Sequence, residues 1–189
     1  MICGGSSVVE CLLANKKVAG SSPVHRSMNL KQEIDNYLKS QRLMSVATYG
    51  DIPWIANVYY VHDKDLSLYF LSKHWREHCK AIDENEKVAV AIADSSQPIY
   101  KPQKGLQING MAKSVNIISS LQWMFKMWNK LIAGAKGEKL SDPKKFLDAG
   151  LSKVYKITPK RIKFFNTELW PKDQFRILRI LLYASRSDL

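Results

Sequence analysis

Leu43-Met44-Ser45-Val46-Ala47-Thr48-Tyr49, a Gly50-Asp51 turn, and Trp54-Ile55-Ala56-Asn57-Val58-Tyr59-Tyr60-Val61-His62 form the stretch that decides the architecture. Two runs rich in β-branched and aromatic residues flank a short turn signal, the pattern of paired antiparallel strands. A third run, Leu66 to Leu71, follows Asp63-Lys64-Asp65 closely enough to extend the pair into a meander. In the second run Trp54, Ala56, Val58 and Tyr60 alternate against Ile55, Asn57, Tyr59 and Val61. Both faces carry large or apolar groups, so neither is expected to be simply water-exposed. Asn57 needs hydrogen-bond partners in such a setting, which either a neighbouring backbone or a planar heteroaromatic ligand supplies.

Outward from this stretch the pattern stays mainly β. Upstream, Asn29 with Gln32 resembles a capping box, and Leu30, Ile34, Tyr37 and Leu38 recur at helical spacing to about Gln41. Downstream, Val88 to Ala93 and Leu106 to Val115 read as strands around a Pro-containing loop at Ser95 to Gln103. Val88, Val90 and Ile92 share one face, and three alanines share the other. A helix, a neighbouring subunit or a flat ring is expected to approach that alanine face closely. Ile117 to Ile132 is apolar at nearly every helical phase, including Trp123, Met124, Phe125, Met127 and Trp128, which predicts a buried or subunit-facing helix. After a loop at Gly134 to Lys139 and a short helix near Pro143 to Ala149, Val154 to Ile157 and Arg161 to Phe165 read as two final strands. The element order predicts a mainly β fold with peripheral helices, closed or half-closed into an antiparallel barrel.

The whole chain bounds the function. Its 189 residues suit one domain with a full core, and no apolar run approaches the roughly 18 residues that span a bilayer. A formal charge of +12 arises from 29 Lys and Arg against 17 Asp and Glu, scattered rather than gathered into a block. This favours anionic ligands only weakly. Cys3, Cys11 and Cys79 show no CxxC spacing and no metal-ligand pairing with the four histidines, so no metal site is expected and a reducing cytoplasm fits. Residues 1–27 differ in character from the rest. Gly5 to Cys11 and Ala19 to Val24 read as the D-arm and T-arm of a bacterial transfer-RNA gene translated in frame, so residues 1–27 are expected to be a non-native or disordered extension before a start at Met28. The codons of the gene test this.

One segment points to a phosphate. The strand Leu66 to Leu71 runs into Ser72-Lys73-His74-Trp75-Arg76-Glu77-His78-Cys79-Lys80, which continues as a helix toward Asn85. A helix N-terminus already carries unpaired N–H groups and about half a positive charge, so cations there cost roughly 0.3 to 1 kcal/mol each unless an anion joins them. A bound phosphate turns that cost into a gain. The alternative is a solvated turn in which Glu77 offsets its neighbours. Lys80, farther along, reads as a solvated charge.

From about Leu30 to Phe165 the chain resembles the FMN-binding split-barrel superfamily, the pyridoxamine 5'-phosphate oxidase-like proteins, and within it a small bacterial branch. The resemblance lies in the order of Leu43 to Thr48, Pro53 to Val61, Leu68 to Ser72, Asn85 to Val88, and Lys104-Gly105-Leu106-Gln107-Ile108-Asn109-Gly110-Met111-Ala112. It implies an antiparallel split β-barrel over residues 28–170, a homodimer, and two FMN molecules in the grooves between subunits. Carried over, Ala56, Asn57, Val58 and Tyr59 would line the isoalloxazine, and Gln107 would approach it. Ser72, Arg76 and His78, with Lys73 nearby, would hold the phosphate. Better-known members carry Ser-Arg-Lys where this chain has Arg76-Glu77-His78. His78 would donate from neutral imidazole or gain charge beside phosphate, so that binding weakens at high pH. The oxidases' C-terminal substrate motif is missing, so vitamin B6 oxidation is not expected. The tail, residues 171–189, reads either as an amphipathic helix closing the dimer or as the product of a shifted frame.

The function expected is an FMN-dependent oxidoreductase acting on a small molecule, in which the flavin carries the electrons. No catalytic residue is assigned, since no Ser-His-Asp, Cys-His or paired-carboxylate arrangement is legible. Competing readings are a flavin-, haem- or deazaflavin-binding module without turnover, and a basic barrel for nucleic acid. The last lacks the aromatic-plus-basic strand motif it would need.

Overall fold

The computed structural model describes residues 29–115, 118–131, 142, 144–145, 149–150 and 152–180. The expected N-terminal extension, the Gly134 to Lys139 loop, most of the short helix near Pro143 to Ala149, and residues 181–189 of the tail lie outside them. The elements are α1 (Leu30–Ser40), β1 (Leu43–Tyr49), β2 (Pro53–Tyr59), β3 (Val61–His62), β4 (Leu68–Lys73), α2 (Glu77–Glu84), β5 (Lys87–Ala93), β6 (Lys104–Val115), α3 (Ile118–Leu131), β7 (Ser152–Asn166) and β8 (Phe175–Arg179). All paired strands are antiparallel, in the order β2-β1-β5-β6-β7-β4-β3, with β8 also on β7. This is a mainly antiparallel sheet curled into a half-barrel, with the three helices α1 to α3 among the described residues, a split barrel.

The inner face follows from strict alternation. Met44 and Val46, Val88, Val90 and Ile92, and Leu106 and Ile108 all point inward, and α1 adds Ile34 and Leu38 while α2 adds Cys79 and Ile82. Phe70 stacks on Tyr155 with centroids 5.2 Å apart, and Phe164 packs on Tyr37 at 5.4 Å. Each fully buried large side chain here contributes roughly 1.5 to 3 kcal/mol. A second, smaller cluster forms where α3 covers Val61, Tyr69 and Val154 with Leu121, Met124 and Phe125. The helix read as Ile117 to Ile132 therefore packs on the sheet's outer side.

Several expectations are corrected. The Trp54 to His62 run is two strands, because the chain leaves β1 at Tyr60, whose N–H bonds Arg42 O at 3.1 Å and whose hydroxyl donates to Leu38 O at 2.9 Å. The third strand therefore does not extend a meander; β4 pairs with β3 and β7, and the free edge of β2 faces it across a seam. Asp63 sets the β3–β4 turn, accepting from Asp65 N and Ser67 N at 2.9 Å each, with Leu66 at φ 64. The two expected final strands are one, Ser152–Asn166: Pro159 lies where one edge of β7 passes from β4 to β8, beside a register shift at Asn109/Gly110, so its missing N–H leaves no gap in the ladder. The tail supplies β8, a strand where a helix was one of the expectations. Exposure also differs: in the single chain Trp54, Ile55 and Tyr59 of β2 are 45%, 67% and 58% exposed.

Gly110 sits at that register shift, and a Cβ there would lie 2.6 Å from Thr158 O and 3.2 Å from Ile157 Cγ2. Gly110→Ala is expected to lower stability by about 1 to 3 kcal/mol through overpacking, read as a lower urea midpoint with an unchanged slope.

Candidate functional site

The seam between β2 and β4 opens into a pocket of about 270 Å³. From β2 come Asn57, Val58 and Tyr59; from β4 come Leu71, Ser72 and Lys73; Arg76 closes one side. Trp128 of α3 and Ser152 at the start of β7 complete the wall. The cationic corner differs in detail from the sequence expectation. Ser72 and Lys73 still belong to β4, His74 and Trp75 form a turn closed by Arg76 N to Lys73 O at 3.1 Å, and the helix starts only at Glu77. Arg76 is its N-cap and makes no side-chain cap bond, and its side chain lines the pocket from the positive end of α2. Lys73 Nζ lies 5.2 Å from the centroid of the Trp75 ring. Lys80 is exposed and reaches Glu77 at 3.4 Å.

Of the residues singled out from sequence, Asn57, Val58, Tyr59, Ser72, Lys73 and Arg76 share this one pocket. Ala56 is not part of its wall, which takes only Asn57, Val58 and Tyr59 from β2. His78 is not on the wall either. It is 3% exposed, and its Nε2 lies 2.8 Å from Ser72 Oγ, so it backs the pocket rather than lining it. Burial, and then the positive charge of Arg76, push its pKa below the ordinary 6.5 and hold the imidazole neutral at pH 7. Nothing along the chain signalled this Ser–His contact, since five residues and the end of a strand lie between the two.

Gln107 lies elsewhere. The register carries two rows across the outer face, Ile55–Ala47–Ala89–Asn109–Arg161 and Asn57–Ser45–Ala91–Gln107–Lys163. All of these residues except Asn57 line a second groove of about 360 Å³ with an alanine floor. The alanine face of β5 is thus open in the single chain. Three strand spacings separate Asn57 from Gln107, roughly 14 Å. Ser45 Oγ donates to Asn57 Oδ1 at 2.7 Å, leaving the Asn57 amide NH₂ without a protein partner among the described residues. Trp128, Leu71 and Ser152 were not foreseen as pocket residues. Trp128 carried only the signal of an all-round apolar helix, and Ser152 carried none.

The family model for pyridoxamine 5'-phosphate oxidase matches residues 30–166. The chain belongs to this family. Solved structures agree on the fold. General Stress Protein 26 from Bacillus anthracis is 21% identical with a TM-score of 0.58, over 81% of this chain and 100% of that one. A heme binding protein from Mycobacterium smegmatis is 15% identical at 0.62, over 80% and 58%. A FAD-binding protein from Mesorhizobium loti is 19% identical at 0.51, over 69% and 90%. At these identities the likeness is one of fold. No curated protein matches the chain. Among the described residues of this oxidase-family chain no group of His, Cys, Asp and Glu could hold a metal, and no helix is long and apolar enough to cross a membrane.

The environment of His78 predicts how stability responds to acid. The unfolded chain takes a proton at about the ordinary 6.5, while the folded chain resists it, so this contribution is complete above that pH and is lost as pH falls toward the lower folded value. Urea midpoints are expected to drop between pH 7.5 and 5.5, and to drop less in His78→Gln.

Proposed function

We propose that this chain is an FMN-binding flavoprotein that works as a cytoplasmic homodimer and acts as an oxidoreductase on a small molecule. The observation that carries the reading is the convergence of Asn57, Tyr59, Ser72, Lys73 and Arg76 on one seam pocket with a cationic end. The donor set fits a mononucleotide: Arg76 and Lys73 for phosphate charge, the Ser72 hydroxyl for a phosphate oxygen, and the free Asn57 amide for a polar ring edge. Bound FMN supplies hydride and single-electron chemistry. The chain's own residues bind and orient the group and exclude water.

The homodimer answers the position of Gln107. With Gln107 roughly 14 Å from Asn57 in one chain, one ring meets both only where a second copy brings its own Gln107 to the seam. The alanine-floored groove and the exposed Ile55 and Tyr59 offer a surface for that copy. Arg161 and Lys163 then lie on the partner-facing side, with no carboxylate partner among the described residues.

The purified protein is expected to be yellow with FMN, and NADH or NADPH to bleach it. Arg76→Ala is expected to raise the FMN Kd by about tenfold or more, the scale of a lost charged hydrogen bond, and to leave riboflavin unchanged. Equal losses for the two flavins contradict the phosphate assignment. Sedimentation is expected to show a dimer for the native chain and a monomer with weakened FMN binding for Ala91→Arg; a native monomer that holds FMN fully refutes the shared site.

A further inference from the structure

Ser72 is a buried residue, 9% exposed, yet it forms part of the pocket wall, and behind it stands an even more deeply buried imidazole. His78 Nε2 lies 2.8 Å from Ser72 Oγ, and the ring neighbours Phe70 at a centroid distance of 6.2 Å. A neutral imidazole has one N–H and one bare nitrogen, and a serine hydroxyl has one proton and two lone pairs. The contact can therefore be made in two ways. If the bare nitrogen faces Ser72, the hydroxyl proton is consumed inward and only lone pairs face the pocket. If Nε2 carries the proton, Ser72 accepts from His78, and its own proton is free to point outward.

A phosphate is purely an acceptor, and in this pocket it already meets Lys73 and Arg76. Lone pairs turned toward it repel; a donated proton attracts. We propose that His78 is a positioning residue: through its Nε2–H it turns the single Ser72 proton toward an anionic oxygen in the seam pocket, an inference that rests on the flavin-phosphate reading of that pocket. The role differs from the one expected from sequence, in which His78 itself touches the phosphate. It also accounts for a polar ring placed among Phe70 and the core, where a leucine would pack at no desolvation cost. Arg76 and Ser72 are the charged and polar groups that the structure sets against the ring. Arg76 opposes a second proton there, so the ring acts by the placement of its one proton rather than by charge.

Two measurements test this on the full chain. In the first, FMN and riboflavin affinities are compared for Ser72→Ala, His78→Leu, His78→Gln and Ser72→Ala/His78→Leu. Ser72→Ala and His78→Leu are each expected to weaken FMN by about tenfold while riboflavin stays within about twofold. The double variant is expected to be no worse than the weaker single, because both remove the same bond. His78→Gln, which keeps an N–H donor, is expected to retain most of the discrimination. Additive losses, or equal losses for the two flavins, overturn the proposal. In the second, long-range ¹H–¹⁵N correlation spectra of the native chain are recorded with inorganic phosphate and then with FMN, which needs no variant to fold. A proton on His78 Nε2 with either ligand bound is expected; a bare Nε2 in the ligand-bound state overturns the assignment. A native chain that binds FMN no better than riboflavin instead refutes the flavin-phosphate reading, and the phosphate spectrum still decides the role of His78.

Discussion

The hydrogen bond from the Tyr60 hydroxyl to Leu38 O, at 2.9 Å inside the core, is the constraint on which the site depends. It is made where the chain stops following β1, and with Tyr60 N to Arg42 O it ties that point to the end of α1. Burial pushes the phenol pKa well up, so the group stays a donor. Past this point Val61 and His62 join β4 instead of β1. The sheet is thereby left with two edges that face each other without pairing. A barrel closed by continuous pairing would have no such opening, since closure satisfies every edge. The seam pocket exists because Tyr60 ends one pairing and begins another.

Around that seam the structure separates charge from orientation. Arg76 and Lys73 provide positive charge near the start of α2, where the backbone adds its own. Ser72 and His78 provide a directed neutral donor, buried enough that its geometry is fixed by packing. Asn57, held by Ser45 on the outer face, provides the polar group at the opposite wall. The first two come from one strand-turn-helix segment, residues 72–78, and the third from β2. The meeting of that segment with Asn57 is a property of the half-barrel's curvature rather than of any local motif.

Much of the architecture was legible in alternation. Val88 to Ala93 sorted its valines and alanines correctly, because a strand buried on one face repeats every two residues. The cationic corner was legible as a crowding of Lys and Arg at a strand-to-helix junction. What escaped was set by pairing across long separations. The Thr158-Pro159-Lys160 stretch looks like a strand end, and only the handover between β4 and β8 makes it the middle of one strand. The tail segment Phe175–Arg179 looks amphipathic, and only a free edge on β7 makes it β. Trp128 looked like core, and in fact α3 carries it from its own small core to the pocket's rim.

The sequence by itself determined that this is a mainly antiparallel barrel-like chain of the pyridoxamine 5'-phosphate oxidase family, and which cations gather beside its third run of strand residues. Periodicity and order suffice for that, because they act through neighbours along the chain. The tertiary structure alone decided that Ser72 meets His78, that Asn57 and Gln107 lie on separate grooves, and that β2 faces β4 without pairing. Those facts depend on which edges pair, and edge pairing is chosen by the packing of the whole core rather than by any segment read alone.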